Sequence, residues 1–146
     1  MLIVGCGDVG RKIALRALRS GESVRCLVRS TESVALLSKA GMDAEAVDLD
    51  HQSPSLTGRH DQQRIFYLAP PPASGSCDPR MQRFLSALSG GKHHRIVYIS
   101  TTGVYGNCNG EWVDEHRRVD PQVDRARRRH DAEKQLCVWR QAGRGE

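Results

Sequence analysis

Aromatic rings are scarce in this 146-residue chain: two Trp, three Tyr and two Phe, 5% of the whole. Proteins that track single-stranded nucleic acid stack its bases on such rings along a basic groove. The net charge of +5 is spread along the chain, and the C-terminal arginines are interleaved with Asp120, Asp124, Asp131 and Glu133. So neutralised and ring-poor a surface predicts no nucleic-acid partner. Long apolar runs are missing too. Nothing approaches the roughly 20 residues that a membrane helix needs, and the apolar start "MLIVG" stops at a glycine where a secretory signal would continue. The expectation is a cytoplasmic protein with no membrane contact. Cysteine is present but without pattern: Cys6, Cys26, Cys77, Cys108 and Cys137 are odd in number and form no C-x-x-C pair. That argues against zinc and disulfide frameworks and predicts reduced, structural thiols. His93 and His94 precede an apolar run, where a loop or strand-edge role is expected, so no metal site is predicted.

What is present is one domain's worth of chain, with 38% hydrophobic and 27% charged residues, enough for a single core. Short apolar runs alternate with helical periods. "LIV" (2–4) reads as a strand and "VGRKIALRALRSG" (9–21) as a helix. Ile13 pairs with Ala17, and Ala14 with Leu18, on one side of that helix; Lys12, Arg16 and Arg19 face water, and Gly21 supplies the stop. Further strands are predicted over 23–28, 43–49, 64–69 and 95–100, with helices over 32–41, 79–91 and 122–141. Pro70, Pro71 and Pro72 break the fourth strand, and a glycine-rich loop (102–110) follows the fifth. Strand–helix alternation with short connections predicts an α/β fold, a doubly wound parallel sheet in the order 3-2-1-4-5. A sixth strand normally follows the last helix of such a sheet, and "QAGRGE" does not supply one. The sheet is therefore expected to be incomplete at the C-terminus, with an unpaired edge that favours self-association.

"GCGDVG" (5–10) matches G-x-G-x-x-G between a strand ending at Val4 and a helix beginning at Val9. In that context Gly5 makes the tight turn, Gly7 lets a pyrophosphate approach the backbone, and Gly10 lets helix and strand pack closely. The helix N-terminus then offers its unpaired N–H groups to phosphate. A reader of the ribose 2′-hydroxyl would place Asp or Glu at the end of the second strand, but this chain has Arg29, Ser30 and Thr31 there. Those residues suit a 2′-phosphate and favour NADP over NAD. The candidate cofactor contacts are Gly5, Gly7, Asp8, Val9, Gly10 and Arg29, with Asp48 and Leu49 after the third strand and Ala69 and Pro70 after the fourth.

"GCGDVG", "FYLAPPP", "YISTTGVYG" and "EWVDE…DP" together resemble the extended short-chain dehydrogenase/reductases, the NAD-dependent epimerase/dehydratase group. The resemblance runs to about Leu136 and implies a Rossmann domain over 1–146, an oxidoreductase or epimerase activity on a small-molecule substrate, and an absent C-terminal substrate-binding part. It also implies that Thr101 polarises the substrate oxygen, that Tyr105 is structural, and that Trp112, Asp114 and Glu115 lie on the substrate side. The family's Tyr-x-x-x-Lys pair, its acid/base tyrosine and ribose-binding lysine, falls on Arg125 and Arg129.

At about 100° per residue, Arg125 and Arg129 point the same way as Ala132, Leu136 and Trp139, so these two arginines are predicted to face the sheet. Arg127 and Arg128 are then expected on the solvated side. A guanidinium cannot stand in for tyrosine as a proton donor, but it can bind phosphate or carboxylate. Three readings follow. The chain is an NADP-linked oxidoreductase or epimerase-like protein, a non-catalytic dinucleotide-binding or sensor protein, or an inactive fragment.

Overall fold

A computed structural model describes residues 1–56, 64–88 and 95–142. His93 and His94 lie outside the described residues. The chain divides into two compact units: Met1–Pro70 with Arg83–Ile99, and Pro71–Gln82 with Ser100–Glu146.

The first unit is built on a parallel sheet of β1 (Leu2–Val4), β2 (Arg25–Val28), β3 (Asp43–Ala46), β4 (Arg64–Tyr67) and β5 (Arg95–Tyr98). Their spatial order is β3-β2-β1-β4-β5, as the alternation of elements predicts. β1 lies at the centre, with Leu2, Ile3 and Val4 essentially without solvent exposure. Such burial on both faces explains why the strand is apolar throughout rather than alternating. Ile3 sits opposite Cys26 of β2 and Phe66 of β4. α1 (Asp8–Arg19) closes one face, where Ala14 and Ala17 join Ile3, Cys26, Val28, Leu37 and Met42 in the core. Elsewhere in the unit the Tyr67 and Phe84 rings meet, their centroids 5.1 Å apart.

The strands are shorter than their sequence patterns. β3 ends at Ala46, one further ladder bond runs from the Val47 N–H to the Val28 carbonyl, and the chain then turns. Asp48 makes that turn: its carboxylate accepts from the Asp50 N–H, and its carbonyl from those of His51 and Gln52. β4 likewise ends at Tyr67, with a last ladder bond from the Leu68 N–H to the Val4 carbonyl, before prolines that have no N–H to donate. α2 (Thr31–Lys39) starts at Ser30, whose hydroxyl accepts from the Ser33 N–H.

The second unit holds the start of α3 (Pro79–Ala87), a 3₁₀ turn (Thr102–Tyr105) and α4 (Asp124–Ala142). Asp78 is the N-cap of α3: its Oδ1 accepts from the N–H groups of Arg80 and Met81, with Pro79 at the first helical position. No helix among the described residues is long and apolar enough to cross a membrane.

Candidate functional site

In the sheet unit the predicted residues gather at the C-terminal ends of the strands. The chain leaves β1 at Gly5, whose N–H donates to the Leu27 carbonyl at 2.9 Å. Gly5 has φ +86°, and a Cβ there would lie 2.5 Å from the Ala69 nitrogen and 2.7 Å from the Ala69 Cα. Only glycine satisfies both the left-handed backbone and this approach to the end of β4. Gly7 then caps α1, and no atom of the described residues lies within 4 Å of where a Cβ would stand. No side chain caps the helix, so its first N–H groups open onto that space. Asp8 in the first turn is paired with Lys12 at 3.0 Å, both side chains largely in solvent, and Val9 is half exposed. Gly10 packs inward: a Cβ would come within 3.2 Å of the Gly5 carbonyl oxygen and of Ile3 Cγ2. The first turn of α1 therefore rests directly on β1.

Arg29 leaves the end of β2 with its side chain 73% exposed, and its Nε lies 3.8 Å from Asp48 Oδ2. That separation is an ion pair too long for a hydrogen bond, so Asp48 does not consume the guanidinium donors. Ser30 is committed to capping α2 and shares a hydrogen bond with the Ser33 hydroxyl. Leu49 is buried, with its carbonyl accepting from Arg83 at 2.8 Å, and Ala69 is buried beside Gly5. Pro70 follows Ala69 at the end of the unit's first segment.

The second unit holds Thr101, Arg125 and Arg129. Thr101 is exposed, and its hydroxyl oxygen accepts from the Gly103 N–H at 3.3 Å. Its own hydrogen remains available to donate. A Cβ on Gly103 would meet that of Ala126 at 3.6 Å, which seats the 3₁₀ turn on the start of α4. Trp112 is fully exposed, and Asp114 Oδ1 accepts from the His116 N–H.

The arginines of α4 are arranged differently from the helical-wheel expectation. Arg125 is exposed, not turned inward. Arg128, expected in solvent, is the buried one at 7% exposure and donates to the Gly75 carbonyl. Arg127 is exposed as expected and pairs with Asp124 at 3.0 Å. The buried arc is turned toward Arg128 because segment 71–78 packs along that side of α4, a partner that the helical period alone does not reveal. Arg129 is half-buried.

Around Arg128 lies a polar cluster that the sequence reading passed over. The Asp78 N–H donates to Asp131 Oδ2 at 2.8 Å, and Gln135 Nε2 donates to the same oxygen at 2.7 Å and to the Asp78 carbonyl at 3.1 Å. Asp78 Oδ2 and Gln135 Oε1 are buried without a hydrogen-bond donor among the described residues. Burial raises the Asp78 carboxyl above the usual carboxylate range, against the opposing pull of the Met81 and Arg80 N–H groups and the charges of Arg80 and Arg129. The dipeptide Asp78-Pro79 was the available signal, since it marks a helix start.

No protein-family model matches the chain, and no curated protein does. Solved structures do. A functionally unknown conserved protein from Silicibacter pomeroyi superposes with a TM-score of 0.77 at 25% identity, over 92% of this chain and 46% of its own. A candidate NAD-dependent epimerase/dehydratase from Methylobacillus flagellatus matches with a TM-score of 0.68 at 27% identity, over 94% and 50%. UDP-glucuronic acid 4-epimerase from Bacillus cereus, solved with UDP-glucuronic acid and NAD, matches with a TM-score of 0.75 at 19% identity, over 98% and 52%. This chain has the NAD-dependent epimerase/dehydratase fold.

It spans about half the length of these structures. The tyrosine and lysine positions that the resemblance implies would fall on Arg125 and Arg129, and a guanidinium cannot deliver a proton as a phenol does. Among the described residues no three His, Cys, Asp or Glu side chains come together as metal ligands.

Proposed function

We propose that the chain is a nicotinamide-dinucleotide-binding protein of the epimerase/dehydratase type, with NADP preferred to NAD. The carrying observation is the pairing of Gly5 and Gly7. Gly5 is forced by the backbone around it, whereas no atom of the described residues lies within 4 Å of a Gly7 Cβ, so a glycine there is explained by something else filling the space above the helix. A pyrophosphate fits that cradle in size and charge. Gly7 admits it, the N–H groups at the start of α1 hold it, and Asp48, Leu49, Ala69 and Pro70 border the same strand ends. Arg29, with its donors largely unspent, would take a ribose 2′-phosphate. A bound nicotinamide supplies hydride chemistry. For a substrate oxygen, the chain itself offers the Thr101 hydroxyl, which donates a hydrogen bond but is a weak acid.

Titration of NADP and NAD by calorimetry tests this, together with Arg29→Asp. Losing an arginine–phosphate contact of about 1.5–3 kcal/mol should weaken NADP binding tenfold or more and leave NAD nearly unchanged. Equal affinity for both nucleotides, indifferent to the substitution, would remove the NADP preference. A second reading, a dinucleotide-binding protein without turnover, is favoured by one observation: exposed Arg125 stands where the resemblance places the proton-transferring tyrosine.

A further inference from the structure

Cys6 and Cys26 are distant in the chain and meet beneath the glycine-rich loop. Cys26 sits opposite Ile3 in the β1–β2 register, and both cysteines belong to the buried cluster formed by Ile3, Ala14 and Val28. Cys26 is fully buried, and Cys6 keeps 7% exposure. A Cβ on Gly10 would come within 3.4 Å of Cys6 Sγ and 3.2 Å of Ile3 Cγ2, which places the Cys6 sulfur under the first turn of α1 on the face shared by Ile3 and Cys26. The two sulfurs therefore lie in one buried cluster on one side of β1. Donation from Cys26, assisted by the Arg11 charge, draws the Cys6 thiol below its usual range in spite of burial; the same bond and burial push Cys26 up. One sulfur is thus disposed to be the nucleophile and the other to hold its proton until needed.

We propose that Cys6 and Cys26 form an oxidisable dithiol site, which hydrogen peroxide closes to a disulfide that shuts the glycine-rich loop to dinucleotide. The second half of this inference rests on the loop's role under the proposed function. The Cys6 thiolate attacks one peroxide oxygen, the O–O bond breaks, and the departing hydroxide takes a proton to become water. The Cys26 sulfur then displaces hydroxide from the Cys6 sulfenic acid, losing its own proton as a second water forms. Two thiols and one peroxide give one disulfide and two waters, with sulfur oxidised and oxygen reduced. Bringing the sulfurs to a bond of about 2.05 Å draws Cys6 toward β2. Gly5 on one side of Cys6 is held against the Ala69 backbone and cannot follow. The displacement falls on Gly7, where open space permits it and the pyrophosphate would lie.

The test uses the full chain with Cys77, Cys108 and Cys137 changed to Ser, treated with hydrogen peroxide and digested with trypsin without reductant. The expected product is peptide 1–11 joined to peptide 26–29, two hydrogens lighter than their sum and separated by dithiothreitol. In Cys26→Ser, which keeps a donor beside Cys6 but cannot form a disulfide, Cys6 is left as a sulfenic acid, and dimedone should label it. Calorimetry on the oxidised chain should show NADP affinity at least tenfold weaker, restored by dithiothreitol. A folded chain that yields no such linked peptide overturns the dithiol site, and a linked chain that binds NADP as the reduced one does overturns the closure of the loop. A reduced chain that binds neither nucleotide refutes the proposed function instead, and the linked peptide then decides the dithiol site alone.

Discussion

The two glycines of the loop should fail in opposite ways, and the contrast separates folding from binding. Gly5→Ala introduces a Cβ at φ +86°, 2.5–2.9 Å from three backbone atoms of Leu68 and Ala69. The left-handed backbone alone costs about 1–2 kcal/mol with a side chain, and forced repacking against backbone adds about 1–3 kcal/mol. A loss of about 2–5 kcal/mol is a large part of the 5–15 kcal/mol typical of a domain. Thermal melts by circular dichroism should show Gly5→Ala lowered by roughly 5–20 °C. Gly7→Ala meets no atom within 4 Å, and Gly7 has φ −80°, which alanine adopts freely. Removing a glycine there reduces the freedom of the unfolded chain and should hold or raise stability by about 0.4–1 kcal/mol. The same methyl would occupy the cradle, so NADP titration of this stable variant should show binding reduced at least tenfold. If Gly7→Ala bound nucleotide like the native chain, the space above α1 would not be the pyrophosphate site.

Two further outcomes are expected. Asp78 is buried with Oδ2 undonated, and its folded pKa is raised by desolvation. Its protonated form therefore favours folding fully below the unfolded value near 3.9, and this contribution is lost as pH rises through the higher folded value. Asp78→Asn keeps an acceptor for the Arg80 and Met81 N–H groups and adds a donor, so urea melts should show it gaining on the native chain by about 1–3 kcal/mol between pH 4 and 7; a native chain that holds its ground across that range would contradict the assignment. Turnover of carbonyl or sugar-nucleotide substrates should be very slow, because acid/base catalysis worth about 10²–10⁴-fold has no proton donor at position 125. Arg125→Tyr with Arg129→Lys should raise NADPH oxidation, and native turnover that gains nothing from the pair yet falls with Thr101→Ala would show that another donor acts.

The sheet was legible because its signals are local. "LIV", "RIFY" and "RIVY" are apolar or aromatic runs between glycine and proline punctuation, and parallel crossovers leave few arrangements for them. Strand ends were less legible. The 43–49 run looks continuous, and only the hydrogen bonds that Asp48 makes to Asp50, His51 and Gln52 show why the ladder stops early. The structural roles of Gly5 and Gly10 were legible for the same reason as the strands, since fixed positions in one turn define one geometry. The last helix was not legible in that way. A helical period reports which residues share a side, but it cannot say how many neighbours a helix has or where they stand. Ala132 is buried as predicted, but with segment 71–78 packed on α4 the buried arc extends from it to Arg128, Asp131 and Gln135 and leaves Arg125 outside. Arg125 and Arg129 therefore part company: one is exposed, while the other lies within electrostatic reach of Asp78. A phenol–lysine pair works as one unit, the cation lowering the pKa of the acid beside it. Two arginines in different surroundings have no such coupling, so under the proposed function binding at the glycine-rich loop would be separated from proton transfer.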